Sequence, residues 1–392
     1  VKCMAIAQTA SGQDRLAVGS GAELAIFSVG SDSASPANGG CGVLVGQLLE
    51  KSASETGGKE DEISCVAFVE YGSHQSLATA CVSKTSKGEV NLVRFWKLNT
   101  PQDEGKSANG DTLKLVSTQV LDQAGRVTLL ASSMAFVYCG DVAGGIGMFD
   151  KRKDFARKSY KKLHQDCLCG LEVDEYFVYS MDSGTLLVSK GEGLQAVMTI
   201  DLRSLPLPPP FDAAGKEFLA ARHLTRPRSR WGVGQGYRGS VSPQSMLFIS
   251  GYDKSGDSLI FQWHAGSGDI ISAVPLGKKH VVALEFGPFD NGPLVLAMKD
   301  ATIELWDWGI GMHQQAILWH GMDAAASLAA QPESARLLNF PTHNRAVARS
   351  GSRRESLGRA SVSAPPLKIC VDAGSGFISC SEDGVLCMWF RK

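Results

Sequence analysis

The stretch from Lys299 to Gly311, KDATIELWDWGIG, decides how the rest of the chain is read. Asp300 precedes Trp306 by six residues and Asp307 follows the tryptophan at once, which fits either an acidic site beside an aromatic platform or a structural device. Alternation points to a strand. Ile303, Leu305 and Asp307 share one face, while Thr302, Glu304, Trp306 and Trp308 share the other, entered from a tight turn at Asp300 and Ala301.

The pattern recurs. GDSLIFQWHAGSG places Asp257 six residues before Trp263, and EDGVLCMWF places Asp383 six residues before Trp389. A catalytic carboxylate is needed once, whereas a strand-turn-strand unit that cannot bury its face alone is stacked several times. Weaker copies put Phe27, Trp96, Phe149 and Ser189 in the tryptophan position, which makes seven units. Six of them follow a further short apolar strand (KCMAIAQ, ISCVAFV, RVTLLAS, CLCGLEV, VVALEFG and LKICVDA), and the fifth unit must draw its own from between Leu205 and Pro243. The intervals from Phe149 to Ser189 and from Trp263 to Trp306 are 40 and 43 residues, the spacing of four-stranded propeller blades.

These units resemble the WD40-repeat β-propellers. KDATIELWD and EDGVLCMWF look like that family's turn and third strand, although the WD dipeptide occurs only at Trp306-Asp307. The resemblance implies an all-β, seven-bladed propeller of four-stranded antiparallel blades, forming a single domain over residues 1–392 with inserts near 202–244 and 321–366. It also implies a buried hydrogen-bond network of turn Asp, a His before the first strand, a Ser or Thr of the second strand and the Trp. Carried over, this network comprises Asp257 and Trp263, His280 with Asp300 and Trp306, and Ser379 with Asp383 and Trp389. His164 fits the His position of a blade whose tryptophan is replaced by Ser189, and blades one to three lack the turn Asp. Val1 to Gln8 is read as the inner strand of the first blade, and Met388 to Lys392 as the third strand of the last, which leaves that blade without an outer strand. A natural chain continuing before Val1, or a partner, would complete it.

A narrower resemblance runs through VRFWKL and the segment from Phe136 to Gly184, which is similar to echinoderm microtubule-associated-protein-like propellers. It implies association with tubulin or an axonemal complex. FDKR, with Phe149, Asp150 and Arg152, resembles the W-D-x-R ending of the adaptor-binding box in substrate receptors of cullin-type ubiquitin ligases, with Phe in place of Trp.

A net charge of -1 and a pI near 6.8 give no global signal for nucleic acid or membrane, so a basic partner site must be local. No apolar run approaches the roughly 20 residues that cross a bilayer, and the first residues show no charged segment followed by a signal-like apolar core. The ten cysteines lie mainly inside strand-like runs and form no C-x-x-C pair, so buried reduced thiols and an intracellular, cytoplasmic or cytoskeletal setting are expected. The insert RHLTRPRSRWGVGQGYRG interleaves arginines with Trp231 and Tyr237, a pattern that stacks on single-stranded nucleic acid elsewhere, but a solvated surface is the expected reading. The insert that ends near Pro366 is polar and basic around Ser356 and Ser361, both in settings resembling sites of basophilic kinases, and its composition predicts disorder. First cleavage by a protease is expected between Arg345 and Arg359.

The eight histidines are scattered singly, with no metal-binding or hydrolase motif. No catalytic residue, metal or cofactor is expected. The readings that remain are a protein-interaction scaffold within a larger assembly, a microtubule or axonemal component, and a ubiquitin-ligase substrate receptor.

Overall fold

The computed structural model describes residues 3–8, 14–21, 23–30, 43–51, 61–71, 74–86, 88–99, 112–121, 125–207, 218–226, 246–286, 293–308, 312–319, 366–371, 376–381 and 386–390. They are β-strands, save for turns, connecting segments and two single-turn 3-10 helices at Lys151–Lys153 and Leu202–Ser204.

The chain divides into two compact units, residues 1–30 with 43–200 and residues 31–42 with 201–392. The first unit holds four antiparallel blades. Blade one is β1 (Cys3–Gln8), β2 (Asp14–Ser20), β3 (Glu23–Gly30) and β4 (Val43–Lys51). Blade two is β5 (Glu62–Tyr71), β6 (His74–Thr85), β7 (Gly88–Asn99) and β8 (Thr112–Val120). Blade three is β9 (Val127–Ser132), β10 (Phe136–Asp141), β11 (Gly145–Asp150) and β12 (Ala156–Lys162). Blade four is β13 (Gly170–Val173), β14 (Phe177–Met181), β15 (Thr185–Lys190) and β16 (Gln195–Asp201).

The second unit holds two further blades and a smaller sheet. Blade five is β17 (Phe218–Thr225), β18 (Met246–Asp253), β19 (Ser258–His264) and β20 (Asp269–Gly277). Blade six is β21 (Val281–Phe286), β22 (Leu294–Met298), β23 (Thr302–Asp307) and β24 (His313–Trp319). The last sheet is β25 (Pro366–Val371), β26 (Gly376–Ser381) and β27 (Leu386–Phe390). The expectation of seven four-stranded blades is therefore corrected to six, because no described segment pairs with the outer edge of β27. The strand sought between Leu205 and Pro243 is β17, which reduces the insert that begins at residue 202 to the segments around that strand.

Burial follows position within a blade. Every residue of β10 and β22 is buried, whereas β12 and β16 at the outer edge are largely exposed. A middle strand is covered on both faces by its neighbours, so it reads as a continuous apolar run, while an outer strand keeps polar residues. Within each unit the cores sit between consecutive blades. Leu24 and Ile26 of blade one join Leu77 and Trp96 of blade two; Val93 and Phe95 of blade two join Val137 and Phe149 of blade three. Tyr138 and Met148 of blade three join Val173 and Val178 of blade four, and in the second unit Phe248 and Ile260 of blade five join Phe286 and Leu296 of blade six.

A shared irregularity aligns the repeats. The third-to-fourth strand pairing shifts register at Phe95/Trp96, Met148/Phe149, Gln262/Trp263 and Leu305/Trp306. Each step falls at the aromatic position recognised in the sequence, so Trp96, Phe149, Trp263 and Trp306 occupy equivalent depths. The bulge gives the outer strand one extra residue and increases local twist. That extra residue is exposed in Val116, Lys158 and Ile271.

Two of the third-to-fourth hairpins drive a side chain into the preceding blade. Asp154 and Phe155 both have left-handed backbone, with φ of 49° and 60°, and Phe155 stacks on Phe95 of blade two at a centroid distance of 4.3 Å. In blade four Gly193 and Leu194 have φ of 88° and 51°, and Leu194 joins the blade-three cluster around Phe136 and Tyr138. Left-handed backbone costs a non-glycine residue of order 1 kcal/mol or more, which burial of a large apolar side chain offsets.

Candidate functional site

The network expected from the sequence exists, but largely at other residues. It is most complete in blade four. Asp182 lies at the tip of the β14–β15 hairpin and accepts the backbone N–H groups of Gly184 at 2.9 Å and Thr185 at 2.6 Å through Oδ1. Its Oδ2 lies 3.2 Å from His164 Nδ1, and His164 Nε2 lies 2.8 Å from Ser180 Oγ. A carboxylate only accepts, so Nδ1 carries the proton and Ser180 donates its hydroxyl to Nε2. Burial pushes the His164 pKa down against the opposing pull of Asp182, in accord with a neutral ring.

Ser180, His164 and Asp182 have the bonding order of a hydrolytic triad, yet Ser180 is 0% exposed. A nucleophile without access to substrate does no chemistry, so the array is a structural clasp. Ser189, in the tryptophan position, has a buried Oγ without a hydrogen-bond partner and does not extend the clasp.

Blade three carries a related clasp. Asp141 Oδ1 accepts from Ala143 N at 2.7 Å and Gly145 N at 2.9 Å, while Tyr160 of β12 donates its hydroxyl to Oδ2 at 2.7 Å. Burial first, and the bond to Asp141 second, push the Tyr160 pKa up. The expectation that blades one to three lack a turn Asp is therefore wrong for blade three. GDVAGG reads as a loose glycine run, and only the fold shows that its Asp binds the hairpin's own amides. The carbonyl of Gly144 in that hairpin accepts from Leu163 N and His164 N, tying blade three to the start of blade four. Gly144 has φ of +84° and a Cβ there would sit 2.3 Å from the His164 carbonyl oxygen, so only glycine fits.

In blade five the turn acceptor is Asp253, not Asp257. Asp253 Oδ1 accepts from Ser255 N, Ser255 Oγ and Asp257 N, whereas Asp257 is partly exposed and faces Lys278 Nζ at 3.2 Å. A longer hairpin moved the acceptor four residues away from the spacing of the other copies. His223 of β17 reaches Ser250 Oγ at 2.9 Å, and Trp263 is fully buried with no partner for Nε1.

Blade six corrects the opening motif. Asp300 is exposed, and among the described residues its Oδ1 accepts from Thr302 N at 3.0 Å and Thr302 Oγ1 at 2.6 Å. His280 is also exposed, beside the Tyr252 ring, and does not join Asp300 or Trp306. Trp306 Nε1 instead donates to Glu304 Oε2 at 2.9 Å, and the buried Glu304 pairs with Lys279. The acceptor for a strand-three tryptophan is here two residues away on the same strand face. In blade two it is Thr79 of the second strand, 3.0 Å from Trp96 Nε1. Ser379 is buried in the last sheet; Asp383 and the Trp389 side chain of the third expected network lie outside the described residues. The same holds for Ser356, Ser361, Trp231 and Tyr237.

Of the adaptor-like residues, Phe149 is fully buried and Asp150 nearly so. Asp150 caps the 3-10 turn through Arg152 N at 3.0 Å, and the exposed Arg152 guanidinium lies 3.2 Å from the same carboxylate, which holds the Asp150 pKa down. Other prominent surface side chains are Met134 and Tyr176, 84% and 68% exposed, at the tips of the first hairpins of blades three and four. Sequence reasoning passed over both, because a single apolar residue in a polar turn carries no periodic signal. Among the described residues no cluster of metal-ligating side chains is present, and no helix is long and apolar enough to cross a membrane.

No protein-family model and no curated protein matches the chain. Solved structures do. The chain is similar to a chain of the mitotic checkpoint complex, with a TM-score of 0.60, 14% identity and coverage of 99% of this chain and 90% of that one. It is similar to the WD40 domain of Toxoplasma gondii coronin at a TM-score of 0.58 and 12% identity, covering 99% and 80% of the two chains. For the WD40 β-propeller domain of Doa1 the values are 0.56 and 12%, with coverage of 100% and 93%. At such identities the likeness speaks for architecture alone, and with the stacked four-stranded blades it assigns this chain the fold of the WD40 β-propeller domains.

Proposed function

We propose that the chain is a non-catalytic protein-interaction scaffold that works within a larger assembly. The observation that carries this reading is the display of Met134 and Tyr176 at corresponding hairpin tips of neighbouring blades. Tyr and Met are among the residue types enriched at protein interfaces, and here both stand exposed on turns between paired strands. The polar clusters that resemble chemistry are buried and already satisfied in holding hairpins together. A single domain over residues 1–392 belongs to the same proposal, and one cooperative urea transition is its expected signature.

Affinity purification of the tagged chain with mass spectrometry tests the reading, using a Met134→Ser/Tyr176→Ser variant as the comparison. Stoichiometric partners held by the wild type and lost from the variant are expected; a wild type recovered without partners would refute it. One finer alternative has a geometric basis. The exposed Arg152 seated on Asp150 supports the reading as a ubiquitin-ligase substrate receptor, and recovery of a ligase adaptor that depends on Arg152 is its test. The microtubule reading rests on sequence resemblance, and cosedimentation with polymerised tubulin tests it.

A further inference from the structure

Strand β12 presents Arg157, Lys158, Lys161 and Lys162, all exposed, on the outer edge of blade three. Seven of the twelve residues from Lys151 to Lys162 are Lys or Arg and one, Asp154, is acidic, in a chain whose net charge is -1. Like charges held this close on one strand oppose folding. The structure cancels only part of that repulsion. Lys158 pairs with Glu192 at 2.8 Å. Arg157 donates to the Val120 carbonyl at 3.1 Å and Lys161 to the Gly193 carbonyl at 2.7 Å. Main-chain carbonyls fix where these two cations stand without neutralising them, and Lys162 has no carboxylate partner among the described residues.

The edge of β12 that faces away from β11 pairs with no strand among the described residues. A fixed row of positive charge beside an open backbone edge matches an extended acidic polypeptide, which offers both carboxylates and main-chain donors and acceptors. A nucleic acid would use the charge alone. The strand's aromatic residue, Tyr160, is half-buried and turned into the blade, with its hydroxyl held by Asp141, rather than presented to a base. We propose that β12 is a docking edge for an acidic, extended segment of a partner protein, which pairs along the strand and sets carboxylates against Arg157, Lys161 and Lys162. This rests on the scaffold reading and names the chemistry of one partner.

The test uses the full chain and a fluorescein-labelled peptide of roughly ten residues built of Glu-Glu-Val-Val repeats, long enough to span one strand and carrying carboxylates on both faces, because Arg157 and Lys161 project to opposite sides of β12. Fluorescence anisotropy should show binding that weakens about tenfold in Arg157→Gln/Lys161→Gln, with circular dichroism and Tm as in the wild type. Lys161→Gln/Lys162→Gln serves the same purpose if the first pair disturbs the fold. N-methylation of alternate peptide amides, which blocks strand pairing, should abolish binding. Equal affinity in wild type and variants, retained binding of the N-methylated peptide, or tighter binding of poly(dT) through the same residues would each overturn the proposal. Affinity purification separates it from its premise. A wild type without partners defeats the scaffold reading, whereas identical partners in wild type and charge variant defeat only the docking edge.

Discussion

A carboxylate at a hairpin tip contributes according to what covers it. Asp182 and Asp300 occupy corresponding turns, but Asp182 is buried and bonded to two amides and a histidine, while Asp300 is exposed and bonded to one neighbour. Asp182→Ala strands buried donors and is expected to cost about 3 kcal/mol, whereas Asp300→Ala stays below about 1 kcal/mol. Urea melts of the two variants check the ordering, and equal losses would contradict it. His164 adds a pH dependence. Its pKa is lowered from 6.5 in the folded protein, so the unfolded chain binds the proton more readily. The His164 contribution to stability is therefore complete above about pH 6.5 and lost as pH falls below it. His164→Gln should flatten the slope of Tm against pH in that window.

Elements are held by what their hairpins insert into neighbours. Phe155 reaches blade two through two consecutive left-handed residues and stacks on Phe95. Phe155→Ala removes that plug and is expected to cost about 3 to 5 kcal/mol by the usual measure for a buried phenylalanine. If chemical denaturation shows less than about 1 kcal/mol, the hairpin relaxes into the gap and the plug is dispensable. The same hairpin geometry explains why a sequence with an Asp and a Phe in a turn spends backbone energy there. A bulge beside the third-strand aromatic of blades two, three, five and six re-aims the outer strand, and its extra residue, Lys158 in blade three, joins the basic edge.

At the scale of the molecule, cores between successive blades bury side chains that are reactive when exposed. Burial pushes the thiols of Cys81 and Cys139 up to about 11 and about 12, and both are withdrawn from solvent, while Cys167 is exposed. Iodoacetamide at neutral pH should label Cys167 in the native chain and reach Cys81 and Cys139 only after denaturation, as peptide mass mapping will read. Native labelling of Cys139 would mean that the core between blades two and three opens.

Periodicity was legible because it is local. Alternation, the recurring aromatic position and the interval between copies follow from the two-residue repeat of a strand and the need of each blade for a neighbour, so the all-β repeat and the strand order within blades could be read directly. The polar clasps could not. Spacing singled out Asp257, Asp300 and His280, yet hairpin length moved the acceptor to Asp253, solvent claimed Asp300 and His280, and Glu304 became the acceptor for the Trp306 indole N–H. Asp141 and Asp182 sit in ordinary glycine turns whose partners, Tyr160 and His164, lie 19 and 18 residues away in sequence. Which polar groups become buried together depends on how hairpins pack across a blade boundary, and that juxtaposition is a property of the tertiary structure alone.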